Sequence, residues 1–243
     1  MYFGEPYMVN EKIAIKLPTV GEIIKFDDRK YYSIVSTLCS IPSDMKSFLF
    51  DAGIDYEEIS DFDFFRLMSR VFTAEDMKIL MYNPETNEPV DFTQFGDYMN
   101  QDTQRACMYN PITEQIIDDM AYVKISGYLR KAHNIVPKVE KAANKTTKRI
   151  LIQLDREDRE KRAKEGNHQS VLMPMISAMM RYPGFKYKSS ELKECGIYEF
   201  MDAVVGASIY IQSTALLQGS YSGMIDTSKI NKKQFDWTRS TIE

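Results

Sequence analysis

The side chains best suited to bond-making chemistry are few and scattered. Cys39, Cys107 and Cys195 are the only thiols in 243 residues, and His133 and His168 the only imidazoles. A zinc site needs soft donors brought close, usually as CxxC pairs or as two histidines one helical turn apart, and neither spacing occurs. A nucleophilic thiol would need an imidazole within hydrogen-bond reach, whereas cysteines between apolar neighbours, such as Cys39 and Cys195, usually fill core. Gly219-Ser220-Tyr221-Ser222-Gly223 has its serines in the wrong register for a nucleophile elbow and reads as a helix end followed by a turn. The carboxylates Asp55, Glu57, Glu58, Asp61 and Asp63 lack the alternating ligands and central glycine of a calcium loop, and suit the start of a helix near Asp61. No Gly-rich phosphate turn is present. The expectation is therefore no catalytic residue, no metal ligand and no cofactor.

Basic chemistry is denser. Lys138, Lys141, Lys145, Lys148 and Arg149 lead into Arg156, Arg159, Lys161, Arg162 and Lys164. Glu140, Asp155, Glu157, Asp158, Glu160 and Glu165 interrupt them, so the pattern suits a solvated helix with ion pairs three and four residues apart. Lys141, Lys145, Lys148 and Arg149 are the candidate basic docking face. With 31 Lys and Arg against 35 Asp and Glu, the net charge of −4 gives no support to whole-surface nucleic-acid binding.

The elements that would position these groups are mostly helical. An alternating set from Val9 to Leu17 suits a short strand before Pro18, after which Thr19 and Glu22 have capping-box spacing for a helix starting near Val20. Asp27-Asp28 ends or bends it, and Tyr31 to Cys39 suits strand or helix, with helix favoured by its continuity with the preceding one. Ser43 is expected to cap a helix through Phe50 that Gly53 terminates, Ser60 or Asp61 to cap the next, and Thr73 with Asp76 to start a short one. Met81-Tyr82-Asn83-Pro84-Glu85-Thr86 is echoed 27 residues later by Met108-Tyr109-Asn110-Pro111-Ile112-Thr113, each copy suited to a small hairpin. Helix resumes at Asp118 with Met120, Val123, Tyr128 and Leu129 as its stripe. A long polar helix follows from Lys138 to Lys164, anchored by Ile150, Leu151 and Leu154 and ended at Gly166-Asn167.

The apolar content concentrates toward the C-terminus. Val171, Leu172, Met175, Ile176, Met179 and Met180 recur at helical spacing up to Pro183-Gly184, and Ser190 to Leu217 supplies one or two helices with a wide apolar face. The run Ala203 to Leu217, holding Ser208, Gln212, Ser213 and Thr214, is expected to be too short to span a bilayer, and the start of the chain lacks the pattern of an export signal. Beyond Tyr221, Ile225, Ile230, Phe235 and Trp237 could tuck against the core or meet a partner. The expected architecture is mainly α, multi-helical, with a small β-hairpin element inserted in the middle. Its parts are an N-terminal helical region over 1–80, the hairpin element over 81–117, and a C-terminal helical region with the long charged helix over 118–243.

Several fragments resemble tail-assembly or related virion-morphogenesis proteins of tailed phages of Gram-positive bacteria. They are Leu17-Pro18-Thr19-Val20-Gly21-Glu22-Ile23, Ile41-Pro42-Ser43-Asp44-Met45-Lys46, Gly53-Ile54-Asp55-Tyr56 and Phe62-Asp63-Phe64-Phe65. Toward the other end Ile176-Ser177-Ala178, Gly196-Ile197-Tyr198-Glu199-Phe200-Met201-Asp202 and Gly219-Ser220-Tyr221-Ser222-Gly223 look similar to the same group. The resemblance implies a non-enzymatic, chaperone-like protein-binding factor in the host cytoplasm or a structural subunit of the virion tail. Its partners would be tail proteins such as the tube or tape-measure protein, or further copies of itself. No membrane partner is expected from the sequence, and a nucleic-acid-associated regulator using the basic run from Lys138 to Lys164 is the lesser alternative. Adaptable methionines and terminal aromatics suit such contacts, so Met175, Met179, Phe235 and Trp237 are the candidate protein-binding residues.

Overall fold

The structure, a computed structural model, describes residues 1–2, 4–100, 104–165 and 170–239. His168 and the expected helix stop at Gly166-Asn167 lie outside the described residues. The fold is mainly helical with two small three-stranded antiparallel sheets.

The first sheet corrects the expectation of a single strand before Pro18. The Asn10 side chain accepts a hydrogen bond from the Lys12 amide at 3.1 Å, closing a turn between β1 (Tyr7–Asn10) and β2 (Ile13–Ile15). After Pro18, α1 (Val20–Phe26) carries the expected reciprocal capping box between Thr19 and Glu22. Asp27, at φ 93°, breaks the chain, and its side chain accepts from the Arg29 amide to start α2 (Asp28–Cys39). Pro42 opens a single 3-10 turn that leads into α3 (Lys46–Asp51). Ser43 does not cap this helix; its hydroxyl faces the Glu140 backbone instead. Gly53 takes the left-handed conformation as expected, at φ 73°.

Ser60 caps α4 (Asp61–Ser69), and Thr73 with Asp76 forms the second capping box, on the single-turn α5 (Ala74–Met77). β3 (Met81–Tyr82) then pairs with β2, so the first sheet joins distant parts of the chain. The second sheet is β4 (Gly96–Asn100), β5 (Arg105–Asn110) and β6 (Gln115–Ile117). The repeated sequence corresponds to a repeated turn. Asn83 and Asn110 are both buried and accept from amides two residues on, Glu85 at 3.0 Å and Ile112 at 2.9 Å. The residues four positions after them, Asn87 and Glu114, are both left-handed.

Asp118 caps α6 (Asp119–His133), which lies against α2 and α4 in the main core. Its buried face is Ala121, Tyr122, Ile125, Tyr128, Leu129 and His133, while Met120 and Val123 of the expected stripe point to solvent. The charged helix α7 begins at Lys145 rather than Lys138 and runs to Glu165. Its anchor is Ile152, with Leu49, Tyr56 and Phe64; Ile150 and Leu154 are exposed, so the expected stripe was out of phase.

α8 (Leu172–Arg181) starts where the Leu172 amide donates to the Asp28 carboxylate of α2 at 3.0 Å, and tolerates Pro174 because it falls in the first turn. After α9 (Ser189–Leu192), the 25-residue α10 (Ile197–Tyr221) packs on α6. Backbone bonds from Val20 to Cys195, Gly21 to Lys193 and Ile197 to Pro18 clasp the start of α1 to the approach to α10. The run Ala203 to Leu217 is thus the middle of a helix long and apolar enough to cross a membrane by length and composition, which corrects the expectation that it is too short.

Candidate protein-binding surface

Among the described residues the reactive side chains do not assemble. Cys39, Cys107 and Cys195 are buried, and burial pushes the Cys39 and Cys195 thiols up to about 12, Glu199 adding to the effect at Cys195. His133 is buried between α2 and α6, 2.8 Å from the Tyr31 hydroxyl through Nε2 and 2.9 Å from the Leu129 carbonyl through Nδ1. A carbonyl only accepts, so Nδ1 carries the proton and Tyr31 donates to Nε2. Burial pulls this histidine down to about 4 and keeps it neutral, with the Leu129 bond opposing. Among the described residues no thiol is hydrogen-bonded to an imidazole, and no three His, Cys, Asp or Glu are placed to hold a metal ion.

A polar cavity of about 480 Å³ lies between α2, α3, α7 and the segment 135–140. Its charged groups are mostly engaged in holding these elements together. The buried Lys46 ammonium pairs with Glu140 at 2.8 Å, and Asp155 accepts from the Ser47 amide. Arg159 donates to the Ser47 hydroxyl and lies over the Phe48 ring. Hydrogen bonds from Lys138 and Lys46 hold the Glu140 carboxyl down at about 2.

The basic docking face divides. Lys141, Lys145 and Arg149 are exposed, but Lys148 turns inward to Asp55 at 2.5 Å and Glu57 at 2.7 Å, over the Tyr56 ring. Burial lowers the Lys148 ammonium, and the two carboxylates outweigh it and raise its pKa. The acidic cluster and the basic run are therefore largely each other's partners. Together with the Arg156–Asp51 pair they hold α7 against α3.

A separate apolar surface lies on α10. Of the 25 residues of α10, only Ile197, Phe200, Ile209 and Ser213 are buried. Its two charged residues are in the first two turns, where Glu199 accepts from Tyr187 and Asp202 from Tyr2. Ala203 to Tyr221 holds no charge, and Ile211 in its middle is 54% exposed. A groove of about 640 Å³ separates α10 from the end of α8, lined by Met179, Tyr182, Pro183, Val204, Ala207 and Ile211. Arg181 is the charged side chain on its wall; its Nε donates to the Ser177 carbonyl of its own helix, and among the described residues no carboxylate pairs with it.

The expected contact residues occupy different places around this surface. Met179 is 5% exposed and forms the groove floor, and Met175 packs on the main core. Met173 and Met180 of the same helix are the exposed methionines. Phe235 and Trp237 lie on the far side, in the tail that folds back along α10. Phe235 is half-buried, whereas Trp237 is 59% exposed with its ring edge-to-face on Tyr210. Ile211, Tyr182 and Arg181 went unnoticed in the sequence; the available signal was an apolar run with no polar side, unusual for a helix on the outside of a domain. Comparison with family models, curated proteins and solved structures finds no match.

Proposed function

We propose that this protein is a non-enzymatic, protein-binding factor that uses the uncharged outer half of α10 and its groove against α8 as the contact surface. The observation that carries this reading is a 25-residue, largely apolar helix with four buried residues. Folding leaves Tyr210, Ile211 and Tyr221 exposed on it beside the groove, and an apolar patch of that kind marks an interaction site. The partner is a polypeptide with an apolar helical segment, because the groove lies between two helices and accepts ridges of side chains. An acidic residue on that segment would meet Arg181, the charged side chain on the wall. The resemblance of the sequence fragments points to tail assembly, with the tube or tape-measure protein as first candidates. An assembly factor of this kind is absent from mature particles, whereas a structural subunit is present in stoichiometric amounts.

Light scattering after size-exclusion chromatography of the chain co-expressed with each tail component tests the proposal. The expected result is a defined complex with one of them, lost in Ile211→Asp and weakened in Arg181→Glu. No complex with any component, or a complex indifferent to both substitutions, refutes it. Flotation with neutral and anionic lipid vesicles tests the competing use of α10 as a membrane helix, and the proposal requires that the chain stay with the soluble fractions.

A further inference from the structure

The outer half of α10 has a second side, and the chain covers it with its own C-terminal tail. Gly223 takes φ 71°, the Met224 amide donates to the Gly219 carbonyl and the Gly223 amide to the Ser220 carbonyl, a Schellman arrangement that reverses the chain. The tail then runs back along the helix. Ile225 lies so close over Gly219 that a Cβ there would meet its side chain at 3.1 Å. Ser213 is completely buried and its hydroxyl donates to the Gln234 carbonyl at 2.9 Å. The Arg239 guanidinium bridges the Ser213 hydroxyl and the Lys233 and Gln234 carbonyls, and Trp237 rests on Tyr210.

This attachment differs in kind from the packing at the other end of the helix. Ile197 and Phe200 are locked in the main core. The tail consists of two 3-10 turns, at Thr227–Lys229 and Lys232–Phe235, and none of its described residues from Met224 to Arg239 is fully buried. Its apolar side chains Ile225, Ile230 and Phe235 are only partly buried, and beside them one guanidinium, one hydroxyl and one aromatic edge hold it to α10. Segments with few buried apolar contacts are those that open locally while the rest stays folded.

We propose that residues 224–239 form a releasable strap, docked on α10 in the free chain and displaced when a partner takes the helix. The inference rests on the reading of α10 as the contact surface and adds its regulation. With the strap docked, the side of α10 around Ser213 is covered. With the strap off, the surroundings of Ser213 and the covered part of Tyr210 become available, and a partner can enclose the outer half of the helix.

Trp237 is the only tryptophan, so its emission reports the strap directly. The test uses the full chain and its Arg239→Ala variant, with bis-ANS as a probe of apolar surface and circular dichroism to confirm unchanged helix content. The expected result is Trp237 emission at longer wavelength, faster tryptic cleavage at Lys232 and Lys233, and several-fold more bis-ANS fluorescence. Ser213→Ala, with the arginine kept, should give the same changes more weakly. Trp237 emission and dye binding identical to those of the unsubstituted chain overturn the proposal, because the tail would then be a fixed part of the fold. A wavelength shift with no gain in dye also overturns it, because nothing apolar would lie beneath. Absence of any partner complex by light scattering removes the binding reading without changing these signals, so the two failures are separable.

Discussion

Acidification should weaken the fold through one imidazole. His133 sits between α2 and α6 with its ring nitrogens satisfied by Tyr31 and Leu129, Tyr32 against its ring edge, and no charged group contributing to its titration. Its folded value of about 4 lies below the ordinary value of 6.5, so the unfolded chain takes up the proton first. Stability from this group is complete above the ordinary value, falls as the pH drops through the window between the two, and levels off below it. At about 1.4 kcal/mol per pH unit the full effect is about 3 kcal/mol, a large part of the roughly 5–15 kcal/mol that holds a typical domain together. Urea denaturation at a series of pH values across the window measures it. His133→Gln should be less stable at neutral pH by roughly 1–3 kcal/mol, since Tyr31 loses its acceptor, but its stability should vary far less across the window. His168→Gln controls for the other histidine. Unchanged stability of the parent chain across the window, or an equal slope in His133→Gln, would refute the reasoning.

Other substitutions test the packing more locally. A Cβ at Gly21 would stand 2.8 Å from the Lys193 carbonyl oxygen, so Gly21→Ala should destabilise by roughly 1–3 kcal/mol in the same denaturation assay. At Gly206, inside α10 with nothing within 4 Å, alanine should stabilise by roughly 0.5–1 kcal/mol. Asp28→Ala removes the acceptor of the Leu172 amide and should cost roughly 0.5–2 kcal/mol, with faster hydrogen exchange confined to the first turn of α8. Glu140→Gln leaves the buried Lys46 ammonium without its carboxylate and should cost roughly 1–3 kcal/mol. The parent chain should also lose stability as the pH falls from the ordinary Glu140 value of 4.5 toward its folded value of about 2, and this variant should lose less. The three thiols should react with a water-soluble disulfide reagent only after denaturant is added, because all are buried and disfavour the thiolate.

What the sequence made legible was local. Thr19 with Glu22, Thr73 with Asp76, Ser60 and Gly53 each act within a turn, and each does in the structure what its spacing implied. The Asn-Pro repeat was visible because a buried asparagine that bonds its own backbone is also a local device. What stayed hidden depends on long-range partners. Ser43 looked like a cap until Glu140 arrived from across the fold, and Lys148 looked free until Asp55 and Glu57 closed on it. The phase of α7 was misjudged because Ile150, Leu151, Ile152 and Leu154 are nearly contiguous, and which of them faces inward is fixed by Leu49, Tyr56 and Phe64. For the proposed contact surface, Met175, Met179, Phe235 and Trp237 fall in α8 and the tail, but the sequence did not show the division between core, groove and exposed positions. That division depends on which side of an all-round apolar helix is turned to the core.

Hydrogen–deuterium exchange of the full chain, free and in its co-purified complex, tests the central claim most directly. The account expects slower exchange on complex formation in α10 from about Ala203 onward and in the end of α8, with faster exchange in the displaced tail. Protection centred on α7 and the polar cavity, with α10 unchanged, would contradict it.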